Sequence, residues 1–156
     1  MNIYLAARYS RREELLVYKA ELEAAGHRVP ARWLLGEHQA HDGALEIEAA
    51  AESIPGIARA FAEDDVEDLR AADLLIAFSE PPRSGNSRGG RHVEFGMALA
   101  WGRPIIVIGP AENVFHTLPG VQRWPTWEAL KAGGERLPWL GLRQPQYQAP
   151  EVARGD

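Results

Sequence analysis

Hydrophobic and polar positions along the chain alternate between short apolar runs and longer segments with helical spacing. Asn2 to Ala7 (NIYLAA), Leu74 to Phe78 (LLIAF) and Pro104 to Gly109 (PIIVIG) are brief apolar runs of the kind that form buried strands. Val29 to Leu35 (VPARWLL) is a further candidate, weakened by Pro30, and Val121 to Trp124 a short fifth. Between them, Arg11 to Ala25 places Leu15, Tyr18, Leu22 and Ala25 at helical intervals. Ser10 and Glu13 have capping-box spacing before that helix, and Gly26 suits its end. Thr126 caps a last short helix reaching about Lys131. Strands alternating with helices predict a parallel sheet with right-handed crossovers. The expected fold is a three-layer Rossmann-like (flavodoxin-like) α/β domain with a mostly parallel sheet of four to five strands. Its strands lie near residues 2–7, 28–34, 74–78, 104–109 and 121–124. The domain spans residues 1–132, and 133–156 form an irregular tail.

Two helices break the pattern. Ile57 to Ala72 carries an apolar stripe of Ala58, Phe61, Ala62, Leu69 and Ala72, and Asp65 falls inside it. Glu63, Glu67 and Arg70 lie on the other side, where solvated charges belong, and Asp64 and Asp68 read as more of that charged face. Broken patterns cluster at functional sites. Ser87 to Trp101 (SRGGRHVEFGMALAW) begins as a glycine loop and becomes a helix apolar on nearly every side, which predicts burial. Glu94 sits in or just beyond its first turn. A buried carboxylate is costly unless it is paired, hydrogen-bonded or used. It either caps its own helix or is a preorganised nucleophile or base beside Gly89-Gly90, where a ligand can approach the backbone.

Composition narrows the chemistry. The chain has 156 residues, 46% of them hydrophobic, and a formal net charge of −5. That is ordinary for a soluble domain and gives no basic surface for polymeric nucleic acid. There is no Cys, so neither a disulfide framework nor thiolate chemistry is expected. The five His lack metal-ligand spacing, so no metal is expected. No GxxxxGK[ST] loop occurs and no GxGxxG follows the first strand, so neither a P-loop nor a dinucleotide cofactor is expected. No signal peptide or bilayer-spanning run is evident, and the expected location is the cytoplasm, away from membranes. Gly36 to Pro55 is a long excursion, either a lid over the site or a surface loop without a role.

In a parallel sheet the loops leaving the strands open at one edge. Tyr4 and Arg8 come from the first strand and its exit. Asp65 comes from the helix entering the third. Ser87, Arg88, Gly89, Gly90, Arg91, His92 and Glu94 follow that strand, and Asn113 and His116 follow the next. Two carboxylates in different settings facing one crevice are the equipment for glycosyl transfer. One attacks or stabilises an oxocarbenium-like centre and the other handles a proton.

The chain resembles the nucleoside 2-deoxyribosyltransferase superfamily, which includes the 2′-deoxynucleoside 5′-phosphate N-hydrolases. The resemblance rests on an opening Ile3-Tyr4 strand and on Asp65, which lies eight residues before the Asp73 of Ala72-Asp73. A glycine-rich loop then leads into Glu94-Phe95-Gly96, and that helix ends at Gly102-Arg103-Pro104. It covers roughly residues 2 to 130. It implies that Glu94 attacks the sugar C1′, forming a glutamyl-deoxyribosyl intermediate. Asp65 would assist proton transfer and the Tyr4 hydroxyl would hold the Glu94 carboxylate. The substrate would be a small deoxynucleoside or its 5′-monophosphate, the sugar passing to water or to another base. The protein would form a homodimer or larger homo-oligomer. From the residues alone Tyr4 reads as a core aromatic.

The monophosphate hydrolases carry Ser and Gly where this chain has Arg88 and His92, and that Ser touches the 5′-phosphate. Here Arg88 and Arg91 are either phosphate ligands or solvent-facing charges. His92 either reaches the substrate or caps the helix. One alternative is a ribonucleotide phosphoribohydrolase of the lysine-decarboxylase-like type, which also sets a helix-borne Glu after a GG loop, although its PGGxGT run is absent. Another is a nucleotide-binding module without turnover.

Overall fold

The computed structural model describes residues 1–36, 55–81, 89–134 and 137–141. Its centre is a four-stranded, all-parallel sheet in the order β1-β2-β3-β4. The strands are β1 (Ile3–Ala6), β2 (Leu74–Phe78), β3 (Ile105–Ile108) and β4 (Val121–Trp124). β1, β2 and β3 are buried along their whole length, as their unbroken apolar sequences require when helices cover both faces. β4 ends the order, and its half-exposed pattern reflects that edge position.

The segment expected as a strand over 28–34 does not form one. A single parallel bridge joins Asn2 to Arg28, and the chain then turns through a 3-10 segment at Arg32–Leu35. Pro30 has no N–H to extend a ladder. The Trp33 indole donates to the Leu5 carbonyl at 2.9 Å and so occupies the outer edge of β1. The bridge still shows that the chain beyond α1 returns on the outer side of β1, while β2 lies on the inner side. Strand order therefore reverses at β1, and the crevice beyond β1 and β2 is where an open α/β sheet binds ligands.

The helices are α1 (Arg12–Ala24), α2 (Pro55–Ala71), α3 (Gly90–Ala100) and α4 (Trp127–Ala132). On one face Tyr18 of α1 stacks against Phe78 and Trp127, with ring centroids 5.5 and 4.5 Å apart. The Trp127 indole also donates to Glu21 at 2.7 Å, binding α4 to α1. On the other face α3 lies over β1, β2 and β3 and packs against α2. Ser10 does not cap α1, which begins after a short 3-10 turn with no side-chain cap. Thr126 does cap α4, accepting from Ala129 N at 3.1 Å.

Burial around α3 differs from expectation. Phe95, Ala98 and Arg91 are buried, but Val93 is 62% exposed and Gly96 and Ala100 face solvent. A helix in an outer layer buries only the face that meets the sheet. A sequence apolar all round cannot reveal which face that is. A 3-10 turn at Pro138–Leu140 buries Leu137 and Leu140 in the core, and the Leu140 carbonyl meets His27 Nε2 at 2.7 Å. Residues 142–156 and the excursion over 37–54 lie outside the described residues.

Candidate active site

The site begins with Tyr4. Strand alternation turns its ring away from α1 and toward α3, where it is fully buried. A buried phenol needs a partner. The Tyr4 hydroxyl donates to Glu94 Oε1 at 2.7 Å. Burial, then the negative charges of Glu94 and Asp65, hold the Tyr4 pKa well above its ordinary value of 10, so it remains a donor.

Glu94 lies in the second turn of α3, half-buried beneath the rim of the sheet. Its pKa is raised from 4.5 to about 7. Desolvation is the main cause, and the Asp65 charge adds to it. The Tyr4 hydrogen bond and the Arg91 charge oppose both. The carboxylate is thus poised between its two protonation states near neutrality, a condition suited to attack or proton transfer.

Asp65 sits on α2 with its Oδ1 buried. Among the acids of that helix, Asp65 is the one whose charge acts on Glu94. Its neighbours are engaged elsewhere. Arg32 donates from Nη1 to Asp64 at 2.7 Å, from Nε to Asp68 at 2.9 Å, and from its backbone N to Asp68 at 2.8 Å. Asp68, expected on the solvated face, is only 7% exposed because Arg32 draws it inward. The acids on either side are thus paired away from the crevice.

The glycine loop is described from Gly89 onward, and Ser87 and Arg88 lie outside the described residues. Gly89 is left-handed (φ 80°), and no described residue lies within 4 Å of where a side chain at Gly89 or Gly90 would begin. Arg91 does not line that opening. It is 5% exposed and forms a two-pronged pair with Glu112, its Nε 3.4 Å from Oε2. Arg91 is therefore placed as a buried partner of Glu112 and not as an exposed cation of the loop. Glu112 also accepts from Glu80 N at 3.3 Å and lies 3.6 Å from His92 Nε2. It ties together the loops leaving β2 and β3 and the start of α3.

Asn113 and His116 belong to the same cluster. Asn113 Oδ1 accepts from Phe115 N at 2.9 Å and caps a 3-10 turn at Val114–Thr117, while its Nδ2 lies 3.3 Å from His116 Nε2. His116 is buried, packs its ring at a tilt against Phe95 with centroids 4.9 Å apart, and accepts at Nδ1 from Glu112 N at 3.4 Å. Burial is the first cause lowering its pKa below 6.5, which leaves a neutral ring. His92, Phe95, Leu99, Glu112, Asn113 and Phe115 line an open cavity of about 640 Å³ on the side of α3 away from Tyr4. Arg8 is half-buried just past β1.

Two contributors went unremarked in the sequence. Glu112 reads there as one polar residue of a loop, and Arg32 as a charge inside a strand. Only a cation enclosed by apolar residues (VPARWLL) hinted at a buried partner. Among the described residues no group of three or more His, Asp or Glu could hold a metal ion, and no helix is long and apolar enough to cross a membrane.

No family model and no curated protein matches the chain. Among solved structures it is similar to the Clostridium botulinum CMP N-glycosidase BcmB, at 20% identity and a TM-score of 0.50, over 89% of this chain and 99% of that one. The likeness is one of fold: a Rossmann-like α/β domain with a parallel sheet, shared along nearly the whole neighbour.

Proposed function

We propose that the protein cleaves the N-glycosidic bond of a nucleoside 5′-monophosphate and passes the sugar phosphate to water. The observation that carries this reading is the buried Tyr4 hydroxyl bound to Glu94 at the rim of the crevice, with Asp65 opposite. Ionised Glu94 attacks C1′ while the C1′–N bond breaks and its electron pair leaves with the base. The leaving nitrogen gains a proton with the help of Asp65. Water then attacks C1′ of the glutamyl ester, returns the Glu94 carboxylate and releases the sugar 5-phosphate. Tyr4 steadies one oxygen of Glu94 and lets the other attack.

The fold neighbour's name supports a nucleotide as substrate, and a ribonucleotide before a deoxynucleoside. This draws the reading toward ribonucleotide hydrolysis, the reaction of the phosphoribohydrolase alternative, and away from transfer. Deoxyribosyl transfer remains the second reading. It is favoured by the Tyr4–Glu94 pair occurring in the chain order of the deoxyribosyltransferase resemblance. Incubation with ribo- and deoxyribonucleosides and their 5′-monophosphates, with and without an acceptor base, distinguishes them. Free base from a monophosphate in water supports hydrolysis. Sugar exchange that requires the acceptor supports transfer. No base released from any of them overturns both.

A further inference from the structure

We propose that Arg32 is a positioning residue for this reaction: it fixes the rotation of α2 so that Asp65, rather than a neighbouring acid, faces Glu94. The inference rests on the N-glycosidase reading given above. Between positions 63 and 68, α2 carries Glu63, Asp64, Asp65, Glu67 and Asp68. Successive residues differ by ~100° around a helix, so a small rotation would present another carboxylate to the crevice. Arg32 removes that ambiguity. Its Nη1 and Nη2 bind the Asp64 side chain and backbone carbonyl at 2.7 and 3.0 Å, and Nη2 also reaches Glu67 at 2.7 Å. Its Nε and backbone N take both oxygens of Asp68. Asp64 and Asp68 lie one turn apart on a single stripe, so holding both sets the helix rotation. A planar fork with fixed donor directions suits this task, which a point charge does not.

The clamp stands on a rigid base. The 3-10 turn carrying Arg32 is bound to β1 through Trp33 Nε1 and the Leu5 carbonyl, and to α1 through Arg12 Nε and the Leu34 carbonyl at 2.7 Å. Leu5 adjoins Tyr4 in the strand. One short path therefore runs from the residue that holds Glu94 to the residue that orients Asp65. The charged and titratable groups acting on Glu94 are Tyr4 from β1, Asp65 from α2 and Arg91 from α3.

The test is the titration of the Glu94 carboxyl, followed by carbon NMR, in wild type, Arg32→Gln, Asp65→Asn and the double variant. Loss of a cation by itself raises the pKa of a nearby carboxyl, whereas displacement of Asp65 lowers that of Glu94. The expected result is that Arg32→Gln lowers it, as Asp65→Asn does, and that the double variant falls no further. A Glu94 pKa in Arg32→Gln equal to or above that of wild type overturns the proposal. If Arg32→Gln does not fold, Arg32→Lys is judged by the same criterion, since it keeps the charge and loses the fork. In turnover, kcat should drop by roughly 10²-fold, the order for a group displaced by about 1 Å, with KM little changed. That loss should vanish in the Asp65→Asn background, and an equal loss in both backgrounds would mark Arg32 as merely structural. Absence of turnover in wild type would defeat the N-glycosidase reading alone, because the titration does not depend on it.

Discussion

Tyr4 and Glu94, ninety positions apart in sequence, meet through a 2.7 Å hydrogen bond from the phenol to the carboxylate. The strand buries the phenol, the helix brings the carboxylate, and each gives the other its only economical setting away from water.

Tyr4→Phe should therefore act through pH. The hydrogen bond lowers the Glu94 pKa, so its removal should raise it from about 7. The proposed reaction uses ionised Glu94, so the acid limb of kcat/KM should move to higher pH by about one unit, the equivalent of one charge-assisted hydrogen bond. The deficit of Tyr4→Phe should be larger at pH 6 than at pH 8.5, and an unshifted limb would show that the bond does not tune Glu94.

Glu94 should also cost stability as pH rises. Folded, it holds its proton up to about pH 7, whereas its ordinary value is 4.5. Between these values the folded state binds more protons than the unfolded, so this group's contribution falls as pH increases. Glu94→Gln removes that loss. It should match wild type near pH 4 and exceed it at pH 8 by up to about 3 kcal/mol. Thermal melts at both pH values would reveal the gap, and equal differences at both would contradict the burial argument.

Arg91 and Glu112 yield a different expectation from the one their loop suggested. Since Arg91 is buried against Glu112, Glu112→Ala should destabilise the fold by about 3 kcal/mol through the cation left behind. Arg91→Met combined with Glu112→Leu should recover part of that loss. Arg88, which the sequence offers as a phosphate ligand, should instead raise KM for a monophosphate when changed to Ala and leave the urea midpoint in place. A selective KM effect from Arg91→Ala with unchanged stability would reverse the assignment.

A fluorinated substrate offers a covalent record. A 2-fluoro sugar slows both glycosyl steps by destabilising their oxocarbenium-like transition states, so a glutamyl ester can accumulate. Mass spectrometry should find the sugar phosphate on the peptide containing Glu94. An adduct on Asp65 would exchange the roles of the two acids.

Much of this was legible in the sequence because it depends on local pattern. LLIAF and PIIVIG are short apolar runs that read as buried strands, and Asp73, which leads into β2, also accepts from Asn2 N at 2.7 Å at the start of β1. Asp65 and Glu94 were visible as carboxylates in apolar stripes. Other features depend on partners distant in sequence. VPARWLL reads as a strand until Trp33 is seen to occupy the β1 edge and Arg32 to hold three acids of α2. Asp68 looked solvated because its cation lies 36 residues away. The uniform apolar character of α3 hid which face meets the sheet, and Glu112 could not be distinguished from an ordinary loop acid before Arg91 turned inward.

The central claim is that the Glu94 carboxylate performs the chemistry. Its most direct measurement is the rate of free-base release from a nucleoside 5′-monophosphate by wild type and Glu94→Gln, with the fold of both confirmed by circular dichroism. Wild type should release base, and the variant should be slower by at least ~10³-fold, the order of loss for a group central to the reaction. A Glu94→Gln protein that keeps most of the wild-type rate would contradict the account.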